Sequence, residues 1–333
     1  MEDFLSLTFE ELLSRISEPQ NTLILFHRNP DADAIGSAYA LKKVLTDLGS
    51  RALCICGEEI PARFLFLTDG KQEGVLPEQI PSDFEIERII SVDTASPFQL
   101  GRLAELYGER VDLMIDHHGM GEPYANHYIR PDAAATGEIM FDLVKRLATD
   151  GLVKIDEALC IDLYAAISAD TGGFRFANVT SETHQRAAEL LESGIDSAEI
   201  NHLLFDCYSM EQLRARAAGI SNLQLFADGR IAVITFPYAL KAALGLEDHD
   251  LSTLVDVARS LEGVKIAISV RQPGTDGTFH VSMRASCEYD VSLVCAKFGG
   301  GGHERAAGCT FSADNMESAV EKLVSAIDFN LIN

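Results

Sequence analysis

Short apolar runs alternate with longer stretches of helical spacing through the first 120 residues. The run TLILFH at 22–27 is long enough for a buried strand and too short for a helix. The polar segment NPDADAIGS follows it. An apolar-periodic stretch from Ala38 to Leu48, stopped by Gly49, then predicts a helix. The strand-type signal returns in ALCIC (52–56), RIISVD (88–93) and VDLMID (111–116), with helical or turn-rich sequence between. This alternation predicts an α/β domain, a doubly wound and mostly parallel sheet with helices on both faces.

From Gly137 to about Ala217 the apolar spacing is nearly all helical, in GEIMFDLVKRLATDG, DEALCIDLYAAISAD, SETHQRAAELLESG and SAEINHLLF. MEQLRARAAG, the most basic part of this run, fits a connecting helix. A second α/β unit follows. NLQLF and RIAVITF flank Ala227, Asp228 and Gly229 and read as a hairpin, since Asp-Gly supports tight primed turns. VKIAISVRQ and TFHVSMRAS repeat the arrangement around PGTDG, and a final helix is predicted from about Asp314 to Ile327. The expected organisation is a first domain at 1–190, a helical linker at 191–218 and a smaller α/β domain with a mixed sheet at 219–333.

Composition narrows the partners. A chain of 333 residues, 47% hydrophobic and 23% charged, suits about two globular domains. With 27 basic and 51 acidic residues the net charge is -24, which disfavours tight binding along duplex nucleic acid. A small phosphorylated ligand held by metal ions or a local pocket is not excluded. No apolar run reaches the ~20 residues of a membrane span. The start MEDFLSLTFEELL lacks a basic signal region, so a cytoplasmic location is expected. The seven cysteines form no CxxC pair and read as reduced thiols rather than a disulfide framework or zinc site.

The chemistry gathers at the ends of the first domain's predicted strands. The first strand finishes at His27, and its loop supplies Asp31 and Asp33; RIISVD ends at Asp93, and VDLMID ends at Asp116, followed by His117 and His118. Asp170 closes the helical run LYAAISAD. In open α/β sheets ligands sit beyond the carboxyl ends of the strands. Aspartates converging there repel one another and raise each other's pKa values, and bound divalent cations relieve this. His27, Asp31, Asp33, Asp93, His117 and Asp170 offer two imidazoles and four carboxylates, which two divalent ions balance in formal charge. Mixed oxygen and imidazole ligation suits Mn²⁺, with Mg²⁺, Co²⁺ or Fe²⁺ also compatible. Taken singly, an Asp-x-Asp after a strand is an ordinary helix cap, and a histidine ending a strand an ordinary structural residue. The combination is hard to obtain from capping needs.

HRNPDADAIGS (27–37), VDTA (92–95), DHH (116–118) and AISADTGGFRF (166–176) resemble, in order and placement, the four motifs of the DHH phosphoesterases. The resemblance implies one ion on His27 and Asp31, a second on Asp33, His117 and Asp170, and Asp93 bridging both. It places Asp116 nearby in the catalytic centre, as a supporting carboxylate or a further metal ligand, and turns the catalytic His118 toward the scissile phosphate. Two ions ~3.5–4 Å apart would lower the pKa of a shared water. The implied reaction is in-line attack of that hydroxide on phosphorus.

FGGGGHERAAG (298–308) reads by itself as a flexible loop, but consecutive glycine N–H groups can also cup an anion. It is similar to the signature of the DHH-associated C-terminal domain, which implies substrate contacts from Gly300, Gly301, Gly302 and His303, and from Arg284 in VSMRAS. Arg271 is a weaker candidate, equally readable as a solvent-facing strand charge. The two-lobe layout most resembles the bifunctional nanoRNase and 3′-phosphoadenosine 5′-phosphate phosphatase group. The implied substrates are short oligonucleotides, linear dinucleotides such as pApA, or nucleotide phosphates. The competing expectations are a manganese pyrophosphatase, against which the GGGH signature speaks, and a nucleotide-binding module without turnover. The apolar helices around 137–205 could pack internally or join two copies in a homodimer.

Overall fold

The computed structural model describes residues 4–68, 75–119, 121, 123–286 and 289–328. Its contacts divide the chain into two units, one ending at Cys207 and the other beginning at Tyr208. In the first unit, β1 (Thr22–Leu25), β2 (Ala52–Ile55), β3 (Arg88–Val92), β4 (Leu113–Asp116) and β5 (Asn126–Ile129) form one sheet. The strand order is β2-β1-β3-β4-β5, and every pairing is parallel. The helices are α1 (Phe9–Ser17), α2 (Ala32–Asp47), α3 (Arg102–Tyr107), α4 (Thr136–Thr149), α5 (Glu157–Asp170), α6 (Ser181–Leu191) and α7 (Ser197–Asn201).

Alternation along the strands feeds two cores. Leu23 and Leu25 pack with Ile55, Ile89, Leu103 and Met114 on one face. Ile24 and Phe26 face the other way, onto Ile35 and Leu41 of α2, Leu143 of α4 and Leu163 of α5. Every residue of β1 and β3 is buried, as expected for inner parallel strands covered by helices on both faces. The expected doubly wound sheet is therefore observed. Two details differ from the sequence reading. Helix α2 starts at Ala32, because the Asp31 side chain caps it by accepting from Ala34 N at 3.0 Å. Asp33 is thus a helical residue in the first turn and not part of a loop. The edge strand β5 was not anticipated, since NHYI is only half buried and lacks a core strand's apolar run.

The stretch expected to link the domains is shared between the units. On the first-unit side, Asn201 accepts from Ser168 Oγ of α5 at 2.6 Å. The second unit contains α8 (Met210–Ser221), α9 (Tyr238–Leu244), α10 (Leu254–Arg259), α11 (Val291–Ala296) and α12 (Met316–Ser325). Its strands are β6 (Leu223–Phe226), β7 (Ile231–Phe236), β8 (Ile266–Arg271), β9 (Thr278–Ala285), β10 (Gly301–His303) and β11 (Ala306–Ser312). They run in the order β10-β11-β9-β8-β7-β6, with only β7 and β8 parallel, which makes the expected mixed sheet. Helices α8 and α10 cover Ala232, Ile234 and Phe236 on one face, while α11 and α12 cover Ile268, Val281 and Met283 on the other. The predicted hairpin forms, with Ala227, Asp228 and Gly229 all at positive φ, 52, 55 and 85, and Gly229 N donating to Phe226 O at 3.1 Å. Strand β10 was also unforeseen, because the glycine run carries no strand propensity of its own.

Candidate metal centre

The carboxyl edge of the first sheet gathers the expected side chains. His27 follows β1, and its Nε2 lies 3.7 Å from Asp31 Oδ1 and 3.5 Å from Asp93 Oδ2. His117 follows β4, and its Nε2 lies 3.1 Å from Asp170 Oδ2, 3.7 Å from Asp93 Oδ1 and 3.9 Å from Asp33 Oδ2. Among the described residues the donor groups His27–Asp31–Asp93 and Asp33–His117–Asp170 result, and Asp93–His117–His118 forms a third that overlaps both, each with ligand atoms within 4.8 Å of one another. Asp93 turns Oδ2 to His27 of the first group and Oδ1 to His117 of the second.

The donor chemistry fits divalent ions. His27 Nδ1 lies 2.9 Å from Arg28 O and His117 Nδ1 lies 3.2 Å from Ala133 O. A carbonyl can only accept, so each Nδ1 carries a proton and each Nε2, facing the carboxylates, is the nitrogen open to a cation or, without one, to a second proton. Such a site could hold Mn²⁺ or a similar hard-to-borderline cation.

The local fold explains why the acids are fixed. Asp93 is the first residue after β3, buried and at φ 53, a left-handed conformation that Asp tolerates better than most residues. Asp33 is fully buried, with Oδ2 accepting from Thr136 N at 2.7 Å and Oδ1 from Gly137 N at 2.8 Å and Ser37 Oγ at 3.0 Å. The N-terminus of α4 therefore grips this carboxylate with its free N–H groups and positive dipole end. Thr136 also donates from Oγ1 to Asp93 at 2.9 Å. Sequence reasoning missed Thr136, Gly137 and Ser37; the signal was ATG at a helix start facing an Asp-rich motif.

Asp116 belongs to none of these donor groups. Its Oδ1 accepts from His118 Nδ1 at 2.7 Å and from the N–H groups of His117 at 2.8 Å and His118 at 3.2 Å. It therefore orients His118 through Nδ1.

Without cations, protons take up the crowding. Burial opposes charging His27, yet Asp31 and Asp93 raise its pKa well above the ordinary imidazole value of 6.5. Burial likewise opposes charging His117, and Asp170, Asp93 and Asp33 outweigh it. Burial, Asp93 and Asp170 push Asp33 well above the carboxylate range. Burial also works against ionising Asp93, but His27, His118 and His117 hold its carboxyl below that range. The imidazole shifts stabilise the metal-free fold below pH 6.5, and that contribution is lost as pH rises through the raised folded values. A cation must displace the same protons. Mn²⁺ affinity is therefore expected to rise with pH, with proton release. Calorimetry in two buffers of different ionisation heat checks this, and heats independent of buffer would contradict it.

The remaining expected site residues lie in the second unit. Arg284 sits on the half-exposed row of β9. Gly301 and Gly302 belong to β10, with Gly300 just before it. The side chain of His303 lies outside the described residues. A Cβ on Gly300 would meet Gly308 O at 2.2 Å. One on Gly302, at φ 138, would meet Ala306 O at 2.5 Å, so close strand approach alone requires glycine at both. The six described cysteines are free thiols. Among the described residues no helix is long and apolar enough to cross a membrane.

Residues 21–167 match the DHH family, N-terminal domain, and residues 233–328 match the DHHA1 domain. The chain is 29% identical over 320 residues to the bifunctional oligoribonuclease and PAP phosphatase NrnA of Thermus thermophilus, covering 95% of this chain and 91% of that one. It is 27% identical to a probable protein of the same name from Streptococcus mutans, covering 95% and 97%. An exopolyphosphatase-related protein from Bacteroides fragilis has the same fold, with a TM-score of 0.84 at 23% identity over 96% of this chain and 94% of that one. The first match spans the motifs at 27–37, 92–95 and 116–118 and the second spans the glycine motif at 298–308, so the chain carries a DHH family N-terminal domain followed by a DHHA1 domain.

Proposed function

We propose that this phosphoesterase hydrolyses short oligonucleotides, including linear dinucleotides such as pApA, to mononucleotides, and removes the 3′-phosphate of 3′-phosphoadenosine 5′-phosphate. The observation that carries the reading is Asp93, shared between two donor groups at the sheet's carboxyl edge. The similarity to relatives named oligoribonuclease and PAP phosphatase over nearly the whole chain supports the substrate class.

In this reading His27, Asp31 and Asp93 hold one divalent ion, and Asp33, His117 and Asp170 a second, with Mn²⁺ best suited to the set. Such ions supply an activated water and neutralise phosphoryl charge. The side chains do the rest. The N-terminus of α4 aims Asp33 and offsets part of the cost of ionising it there. His118, held through Nδ1 by Asp116, presents Nε2 to a phosphoryl oxygen or to the leaving alkoxide as a proton donor. The DHHA1 domain holds the nucleotide through Arg284 and the glycine strand.

The test is a product time course with purified chain, Mn²⁺ and a panel of pAp, pApA, five-mers, twenty-mers and pyrophosphate. Cleavage of pApA and pAp ahead of twenty-mers is expected; release of phosphate from pyrophosphate alone would overturn the reading. Arg284→Ala is expected to raise KM about tenfold, the loss of one charged hydrogen bond, and to leave Mn²⁺ affinity unchanged. Steady-state kinetics and Mn²⁺ titration separate the two, and loss of metal with unchanged KM would contradict the assignment.

A further inference from the structure

The strand ends that deliver His27 and Asp93 also deliver an arginine and a bare aromatic ring. Arg28 follows His27 directly, and Phe98 stands five residues after Asp93, in a 3₁₀ turn at Pro97–Leu100. Phe98 is 73% exposed. A single exposed aromatic is ordinary on a protein surface, but this one is held in place. The Arg28 guanidinium lies over the ring, with Cζ 4.4 Å from its centroid. Arg28 N donates to Gln99 O at 2.8 Å and ties the end of β1 to the turn that carries the ring. Gln99 Oε1 accepts from Ala95 N at 2.6 Å and Ser96 N at 3.2 Å, which braces the loop leading from Asp93. Gly101 leaves room for the arginine stem, since a Cβ there would sit 3.1 Å from Arg28 Cδ.

The guanidinium backs one face of the ring and leaves the other to solvent. Among the described residues no carboxylate pairs with Arg28. In a chain with 51 acidic residues, an arginine beside an aspartate-rich centre would find one if pairing were its role. Stability gives little reason for the arrangement either, because a cation over an exposed ring contributes little to a fold. What the pair offers is a flat π surface, already oriented, with a cation at its back. Consecutive Cα atoms lie ~3.8 Å apart, so Arg28 begins one residue from a metal-donor histidine. A nucleotide whose phosphate lies at the donor groups carries its base one sugar away. Every base has a π face that an aromatic side chain can take, and the arginine charge complements the phosphates beside it. A stable protein interface needs roughly 20–30 residues a side, whereas one ring face suffices for one base.

We propose that Phe98, backed by Arg28, is a stacking platform for a nucleobase of the substrate. The platform rests on the function proposed above and adds to it the place of one base, beside His27 in the DHH domain. Phe98 takes the base, and Arg28 is a positioning residue that fixes the ring. Stacking reads no hydrogen-bond pattern, so the platform tolerates any base. It makes the chain distinguish a nucleotide from a bare sugar phosphate rather than one base from another.

The test uses the full chain loaded with Mn²⁺, and calorimetry with adenosine 5′-monophosphate and ribose 5-phosphate, which differ by the base. Phe98→Ala is expected to weaken the nucleotide about tenfold and to leave ribose 5-phosphate unmoved. Phe98→Trp is expected to keep the parent affinity, and Phe98→Leu, apolar without a π face, to lose most of it. All three alter an exposed side chain, so their thermal melts should match the parent. Equal parent affinities for the two ligands overturn the platform. A Phe98→Ala loss common to both ligands, as a merely structural role would give, overturns it too, and so does a Phe98→Leu chain that binds the nucleotide like the parent. The two readings fail separately. A chain that cleaves nothing in the oligonucleotide panel but loses nucleotide affinity in Phe98→Ala keeps the platform and loses the substrate assignment. Cleavage of pApA with a KM that Phe98→Ala does not change keeps the substrate assignment and removes the platform.

Discussion

An Asp93→Asn chain is expected to fold and to lose turnover roughly a thousand-fold or more. Oδ2 of Asp93 faces His27 and Oδ1 faces His117, so one amide in place of the carboxylate removes charge from both donor groups. Asparagine is the appropriate substitute because the residue sits at φ 53, which Asn adopts with little strain. Asp93→Ala should lose at least as much activity and some stability besides, since alanine pays the left-handed backbone cost. Initial rates on pApA with Mn²⁺, beside thermal melts of both variants, check the prediction. A folded variant with near-normal manganese-dependent rates would refute the shared role.

The second large effect is expected from one methyl group. Gly36 lies on α2 where it crosses α5, and a Cβ there would sit 2.4 Å from the backbone oxygen of Asp162. Alanine normally gains ~1 kcal/mol over glycine inside a helix. Here the clash is with backbone, which cannot rotate away, so the helices must separate. A net loss of about 1–3 kcal/mol is expected for Gly36→Ala. Because α2 carries Asp33 and α5 carries Asp170, Mn²⁺ affinity should also fall, by about 10–100-fold. Gly108→Ala is the control: its nearest neighbour would be Ala104 Cβ at 3.9 Å, and its stability should not fall. Equal melting temperatures for Gly36→Ala and the parent chain would show that the crossing tolerates the methyl.

What could be read beforehand, and what could not, follows from where each signal resides. The runs ending at His27, Asp93 and Asp116 announced themselves because inner parallel strands are apolar throughout and their functional residues begin where the apolar run stops. Thr136 and Gly137 gave no such sign, since their contribution is mostly backbone N–H, which any residue but proline possesses. Strand β5 is half buried and held on its outer side by a single bridge to Ser6, and β10 and β11 are paired largely through glycine and alanine positions. In all three, tertiary neighbours impose the extended backbone that local composition does not favour. Gly36 falls in the polar segment read ahead of the helix, and its need for a bare backbone shows only once α5 is laid across it.

The spread of the donors along the chain governs when the site can exist during synthesis. Asp33 and Asp170 fall in one donor group for a cation yet sit at opposite ends of most of the first unit, with β2 through β5 between them. A nascent chain exposing only the first strands has no complete cage for that cation, and contacts so distant in sequence form slowly. Metal capture is thereby deferred until the ribosome has delivered α5. From then on the ion adds to the endurance of the finished fold in proportion to its free concentration.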